Sequence, residues 1–415
     1  MDTRFREPVS QRCNRIILLA LAALVLLPAS CKVRSSTLQI PDAAPTAGQR
    51  EQTPADGTGI IPGQAARWVG VSWHTLCVFS ADGAATRFYS VPGTGEGYAA
   101  IFDFTIAEGS IWIPNSTMNF GDPSVIRLDA SDPSGKHEVI RLHDPVSASE
   151  PNVAVPFNVA ADDQWLYVLR KYSLVRSQLT RMSLRDTSER SSLVLPADGG
   201  GLVSQMAVGT LNDRPVLAVM LYEGCAIIDR SSFQLVGFCQ DARLNANIVY
   251  SKHLGAFVCA GVGESFDISS PAEAGEYMAT VIQNRGGGLM YSVPEVLTIR
   301  LSGGKASLSV HRVKLGSPVT GVQVEPSATF DLNDAGNVAV CQSGNCDGLH
   351  AIDLDTMAVV DTQRYPRGQV LGSVGCIGGD VFAIGGNLLY DCARHQFTTQ
   401  TGTPFTGWWR LMRLP

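Results

Sequence analysis

The feature that most limits what this chain can fold into is a recurring unit of apolar strand, turn and second strand. In its plainest copy, Gly348-Leu-His-Ala-Ile-Asp353 is followed by the turn Leu354–Thr356 and by Met357-Ala-Val-Val-Asp-Thr362. A second copy sets Cys225-Ala-Ile-Ile-Asp229 against Phe233-Gln-Leu-Val-Gly-Phe-Cys239 across the turn Arg230–Ser232. Five more begin near Thr75, Ser124, Leu179, Glu295 and Asn387. In most copies another apolar strand stands upstream, as in Ser110-Ile-Trp-Ile-Pro114, Trp165-Leu-Tyr-Val-Leu169, Val216-Leu-Ala-Val-Met220, Ala256-Phe-Val-Cys-Ala260, Asn337-Val-Ala-Val-Cys341 and Asp380-Val-Phe-Ala-Ile384. Short apolar runs bounded by turn residues indicate strands, and no long stretch from Trp68 onward carries a helical period. The hairpins recur about every 50 residues, a spacing that suits four-stranded blades set around a ring. A lone blade cannot bury both faces of its sheet, so the repeat itself favours closure.

The strand–Ile-Asp–turn–strand unit at Ile352-Asp353 and Ile228-Asp229 resembles that of the β-propeller superfamily, of the YVTN and WD-repeat kinds. The likeness covers most of residues 68–415, but no Trp-Asp dipeptide marks the blades. It implies an all-β ring of seven four-stranded blades; a β-sandwich or a two-domain all-β protein is the competing reading. The first repeat offers three strands, Trp68–Trp73, Leu76–Ser80 and Arg87–Val91, and lacks an innermost one. The apolar stretch Gly407-Trp-Trp-Arg-Leu-Met-Arg-Leu414 is expected to supply it and to close the ring, leaving no open edge there.

Ahead of the repeats, Arg4, Arg6, Arg12 and Arg15 precede an apolar run of 12 residues, Ile16–Leu27. That length is short for a bilayer span and typical of a signal-peptide core. The following Leu27-Pro28-Ala29-Ser30-Cys31 resembles the lipobox of bacterial lipoproteins, with Pro28 departing from the usual aliphatic residue. The resemblance implies cleavage before Cys31, lipidation of that cysteine and a membrane anchor in the bacterial cell envelope. Ordinary cleavage near Ala29–Ser30 without a lipid and an uncleaved membrane anchor are the alternatives. Residues 31–63 are rich in Ser, Thr, Pro, Ala, Gly and Gln and read as a flexible tether. The expected organisation is a signal peptide at 1–30, the tether at 31–63 and the propeller at 64–415.

The whole chain carries a formal charge of -6; removal of residues 1–30 takes four arginines and two acidic residues with it, leaving -8. Mild acidity provides no electrostatic basis for a nucleic-acid partner. Of ten cysteines, eight remain once Cys13 is removed and Cys31 is lipidated. An exported protein with eight cysteines is expected to form disulfides. Cys225 with Cys239 ranks first, Cys341 with Cys346 closes a short loop, and Cys376 with Cys392 is a third pairing.

Catalytic motifs are sparse. The histidines form no H-x-H or H-E-x-x-H pair, and Gly372-Ser-Val-Gly375 is one residue short of a nucleophile elbow. Asp331-Leu-Asn-Asp-Ala-Gly336 partly resembles a calcium loop, but Ala335 stands at a ligand position and the sequence reads better as a turn. Asp229 and Asp353, at strand ends, are expected to hold turns. No cofactor is expected. In a blade, the loop between the second and third strands lies at the same end as the blade-to-blade connections, so long loops there are read as a recognition face, with neutral surface elaboration as the competing reading. Three are long: Asn115–Pro123, Arg170–Gln178 and an insertion from Gly261 to Pro294. They nominate Asn115, Asn119, Arg170, Lys171, Tyr172, Glu264, Glu276 and Arg285 as binding-face residues. The chain thus reads as a noncatalytic, lipid-anchored propeller that recognises a protein or glycan. The rival is an exported propeller enzyme, of lactonase or glycan hydrolase or lyase type, with scattered residues converging in the central channel.

Overall fold

A computed structural model describes residues 67–72, 75–80, 86–90, 103–115, 123–133, 136–142, 155–173, 176–196, 205–221, 224–241, 244, 247–262, 266–267, 281–283, 289–291, 294–313, 326–343, 348–364, 374–384, 388–399 and 410–414. The chain divides into two units, Met1–Thr53 and Pro54–Pro415, and every described residue belongs to the second. The expected leader and tether lie outside the described residues.

Seven four-stranded antiparallel sheets form the blades of a β-propeller. Blade 1 holds β1 (Arg67–Ser72), β2 (Thr75–Ser80), β3 (Thr86–Ser90) and, from the far end of the sequence, β31 (Arg410–Arg413). Blade 2 is β4 (Thr105–Ala107), β5 (Ser110–Asn115), β6 (Ser124–Asp129) and β7 (His137–Arg141). Blade 3 is β8 (Val155–Ala161), β9 (Trp165–Ser173), β10 (Arg176–Ser183) and β11 (Arg190–Val194). Blade 4 is β12 (Met206–Leu211), β13 (Arg214–Leu221), β14 (Gly224–Asp229) and β15 (Gln234–Gln240). Blade 5 is β16 (Ile248–Ser251), β17 (Ala256–Val262), β21 (Pro294–Ser302) and β22 (Lys305–Arg312). Between β17 and β21 a three-stranded sheet is inserted, with β20 (Leu289–Tyr291) between β18 (Phe266–Asp267) and β19 (Val281–Gln283). Blade 6 is β23 (Pro326–Leu332), β24 (Val338–Ser343), β25 (Gly348–Asp353) and β26 (Ala358–Arg364). Blade 7 is β27 (Val374–Gly378), β28 (Val381–Ile384), β29 (Leu388–Asp391) and β30 (Gln396–Thr399).

The apolar runs read from sequence are the second and third strands of the blades. They are nearly continuous because successive residues of a strand point to opposite faces, and here both faces are buried. In β13, Leu217, Val219 and Leu221 enter the core between blades 3 and 4, while Val216, Ala218 and Met220 enter the core between blades 4 and 5. Likewise Tyr167 and Leu169 of β9 face blade 4 and Leu166 and Val168 face blade 2. Seven hydrophobic clusters result, each at the seam between two neighbouring blades. Burying one such Leu, Ile or Val contributes about 1.5–3 kcal/mol. At the seam between blades 4 and 5 even the outer strands touch. A Cβ on Gly237 of β15 would lie 2.6 Å from the Ala306 nitrogen of β22, so only glycine fits there.

The turn after the third strand explains the Ile-Asp signature. Asp229 Oδ1 accepts the Ser232 N–H and hydroxyl, and Asp353 Oδ1 does the same for Thr356. Asp391 Oδ1 accepts the Ala393 and Arg394 amides. Four residues beyond each aspartate the backbone is left-handed, at Phe233 (φ 53°), Met357 (φ 50°) and His395 (φ 54°). That conformation costs a non-glycine residue about 1–2 kcal/mol, which the aspartate's bonds offset.

Ring closure follows the sequence expectation. β31 pairs antiparallel with β1, Trp68 opposite Arg413 and Val71 opposite Arg410, and occupies the innermost place of blade 1. One expected loop is corrected. Residues 170–178 are mostly strand: β9 runs to Ser173 and β10 starts at Arg176. Arg170 is 1% exposed, and its guanidinium donates to the Leu142 carbonyl of blade 2 at 3.2 Å. A polar residue there serves the seam, which hid the strand.

Candidate functional site

Antiparallel blades give the ring two unlike ends. One end carries the turns between first and second and between third and fourth strands. The other carries the connections between second and third strands and between blades, including the inserted sheet. Of the nominated binding-face residues, Asn115 closes the β5–β6 pair by donating from Nδ2 to Ser124 Oγ at 2.9 Å. Arg170 is buried, and Lys171 and Tyr172 lie in β9. Asn119, Glu264, Glu276 and Arg285 lie outside the described residues. The structure therefore does not bring the nominated residues into one described cluster.

Among the described residues, polar groups at the tight-turn end join blade to blade. Asp162 accepts the Gln164 and Trp165 amides at 2.9 and 2.7 Å, the Tyr167 hydroxyl at 2.8 Å and Arg230 Nη1 of blade 4 at 2.6 Å. Burial alone would push its carboxyl up, but these four donors outweigh it and hold the group below the usual carboxylate range. Beside it the Arg181 guanidinium lies between the rings of Trp165 and Phe233, 4.5 and 4.7 Å from their centroids. Further round, Asn212 donates to the Leu301 carbonyl, Ser251 to the Gly336 carbonyl, and His253 meets Asp355 at 2.6 Å. Asn333 donates to Asp380, and Asp334 accepts the Gly379 amide. Asp331-Leu-Asn-Asp-Ala-Gly336 is thereby a turn that staples blade 6 to blade 7. Its oxygens hold amides. Among the described residues no three His, Cys, Asp or Glu side chains converge to hold a metal ion.

Side chains on or just ahead of the inner strands repeat one device that the sequence did not reveal. Asp103 Oδ2 accepts the Val159 amide of blade 3, Gln205 Oε1 the Ile248 amide of blade 5, and Asp331 Oδ2 the Cys376 amide of blade 7. Asp103 also takes Asn158 Nδ2 at 3.2 Å and pairs through Oδ1 with Arg410 of β31. These residues look incidental in sequence because their partners lie on the next blade. Asp331 differs from the turn aspartates: burial pushes its carboxyl up to about 6, against the pull of the Cys376 and Leu332 amides and of Arg410. A carboxyl with a raised folded-state pKa is protonated more readily in the folded chain. Its contribution to stability therefore grows as pH falls through about 6 towards the unfolded value near 4, and is absent above 6. Relative to the Asp331→Asn variant, the native protein is expected to gain on the order of 1–2 kcal/mol between pH 7.5 and pH 4.5. Urea unfolding at both pH values measures the gap, and a gap that does not change with pH refutes the assignment.

The expected disulfides are not present. All seven described cysteines, Cys77, Cys225, Cys239, Cys259, Cys341, Cys376 and Cys392, are free thiols. Cys225 and Cys239 are direct register partners on β14 and β15. Partners so placed hold their Cβ atoms about 4.5–5.5 Å apart, beyond the mean of about 3.8 Å in a disulfide. Cys376 and Cys392 have β28 between them, since Cys376 pairs with Phe382 and Phe382 with Tyr390. Two strand spacings exceed the reach of a disulfide, about 7 Å between Cα atoms. Cys341 is buried in the core between blades 5 and 6, and Cys346 lies outside the described residues. Burial pushes the Cys239 thiol up to about 11 and those of Cys341, Cys376 and Cys392 up to about 12, which makes them poor nucleophiles at neutral pH.

No family model matches the chain, and no curated protein does. Among solved structures, it is similar to the dihydro-heme d1 dehydrogenase NirN in complex with DHE, with 14% identity, 84% of this chain and 68% of that one covered, and a TM-score of 0.47. It is similar to Kuenenia stuttgartiensis hydrazine synthase at 12% identity, covering 78% and 88% with a TM-score of 0.49. BamB from Moraxella catarrhalis gives 10%, 81% and 86%, and 0.42. Likeness at this level carries no inference about activity, which has to come from the residues themselves.

Proposed function

We propose that the chain is an exported lipoprotein, attached through Cys31 to a membrane of the bacterial cell envelope, whose propeller is a binding scaffold for a protein or glycan. The supporting observation is the difference between the two ends of the ring. At the tight-turn end, Asp129, Asp162, Asp186, Asp229 and Asp353 accept bonds from turn amides, and each carboxyl is held below its usual range. Carboxylates fixed in this way serve the scaffold and are ill-suited to proton transfer. The opposite end carries the long connections and the inserted sheet, and recognition elements concentrate on loops held by a rigid frame. A second reading, an enzyme working from the axis of the ring, draws on Asp331, whose raised carboxyl lies beside Arg410 and Asp334.

Intact mass and metal content of protein purified from bacterial membranes test both readings. The expected result is a diacylglycerol-sized increment on Cys31 and no stoichiometric metal. An unmodified N-terminus near Cys31 refutes the anchor. Activity towards a lactone or glycan substrate that is lost in Asp331→Asn would replace the scaffold with the enzyme.

A further inference from the structure

β31 is attached to its blade unlike the other inner strands. β4, β8, β12, β16, β23 and β27 each continue through a short turn into the second strand of their own blade. β31 joins β1 through four register pairs alone, with more than 300 residues of chain between the two strands. Its side chains alternate between two seams. Leu411 enters the core between blades 7 and 1 with Trp68, Cys77, Ile377 and Ala383, while Met412 and Leu414 enter the core between blades 1 and 2. Arg410 supplies a charged anchor on Asp103, which the Asn158 side chain and the Val159 amide hold in place. Gly375 of β27 leaves the room, since a Cβ there would lie 2.8 Å from Leu411 Cβ.

A main-chain ladder, alternate apolar pockets and one charge anchor are the elements by which a sheet edge takes up an extended peptide. No covalent turn holds the seated strand, so releasing it costs only its own contacts and leaves the other six blades paired. Local opening of this kind lies below global unfolding in free energy. We infer that the inner edge of β1 is an exchangeable strand-acceptor site, whose alternative occupant is β31 of a second copy of this chain. The second copy's strand carries the same side chains and so remakes each of these contacts, which makes a reciprocal, two-fold swap a low-cost route to a dimer. Ten residues separate Thr399 from Arg410. Fully extended, they reach about 33–36 Å.

The test uses the full chain in two isotopic forms, mixed at high concentration below the unfolding temperature and followed by native mass spectrometry. A mixed dimer is expected to form slowly. A fluorescein-labelled peptide of residues 407–415 should enter the ring and suppress that dimer, and the same peptide carrying Arg410→Glu and Leu411→Asp should not. Asp103→Asn, which weakens the anchor, should speed exchange roughly tenfold. Hydrogen exchange gives an independent readout: the amides of 411–413 should exchange faster than those of 159–161 in β8. The proposal is overturned if no mixed dimer forms, if the dimer forms but ignores the peptide, or if β31 exchanges only with global unfolding.

Discussion

Replacing Asp162 by alanine is expected to destabilise the protein by about 3–5 kcal/mol, the cost of breaking a buried charge pair by removing one partner. The carboxylate gathers four donors from two blades: two turn amides, the Tyr167 hydroxyl and Arg230 Nη1. Its side chain is 8% exposed and that of Arg230 17%. Alanine leaves the guanidinium without its counter-charge in a largely enclosed seam and the tyrosine hydroxyl without its acceptor. Each orphaned group costs about 1–3 kcal/mol. Asp162→Asn keeps an acceptor but loses the charge, and should fall between. The pH dependence separates this from a packing defect. The carboxyl is depressed in the folded chain, so its contribution is complete above the unfolded value of about 3.9 and lost as pH falls through the lower folded one. Native and Asp162→Ala proteins should therefore converge in urea midpoint at strongly acid pH. A constant gap from pH 7 down to pH 2 would contradict the ion-pair account.

Trp112→Ala should cost a similar amount, about 3–5 kcal/mol, through cavity formation instead of electrostatics. Trp112 is fully buried between blades 2 and 3 among Val125, Ile140, Val159, Leu166, Val168 and Met182. Its indole N–H donates to the Ala107 carbonyl at 3.3 Å, and the Arg127 guanidinium lies 5.1 Å from the ring centroid. Trp112→Phe retains most of the apolar volume and should lose less than half as much. Equilibrium unfolding distinguishes the two, and equal losses would mean that the indole hydrogen bond, not the packing, holds the site.

The parts of the fold legible in sequence were those with buried faces on both sides. Val216–Leu221 and Cys225–Asp229 are buried residue after residue, so they appear as unbroken apolar runs whose ends are marked by turn aspartates. All seven such hairpins, and the strand that closes the ring, stand where the sequence placed them. The inner strands were hidden for the opposite reason. β4 and β16 have three and four residues, and Asp103, Asn158 and Asp331 interrupt the apolar pattern to bond with a neighbouring blade. Arg170 misled in the same way, because a buried guanidinium reads as a loop residue until its partner across the seam is known. Cysteine spacing ranked pairings correctly by proximity for Cys225 and Cys239, which do face each other. It could not see that facing is not bonding. Of the nominated recognition residues, only Asn115 and Arg170 have side chains within the described structure.

The inserted sheet leaves blade 5 after Val262 and returns at Pro294, and these two residues are register partners. Its base is thus no wider than a pair of neighbouring strands, about 5 Å. A segment that departs and re-enters through so narrow a stem behaves as a modular graft point. Its sequence is expected to tolerate exchange, lengthening or replacement by a reporter domain while β17 and β21 keep their ladder.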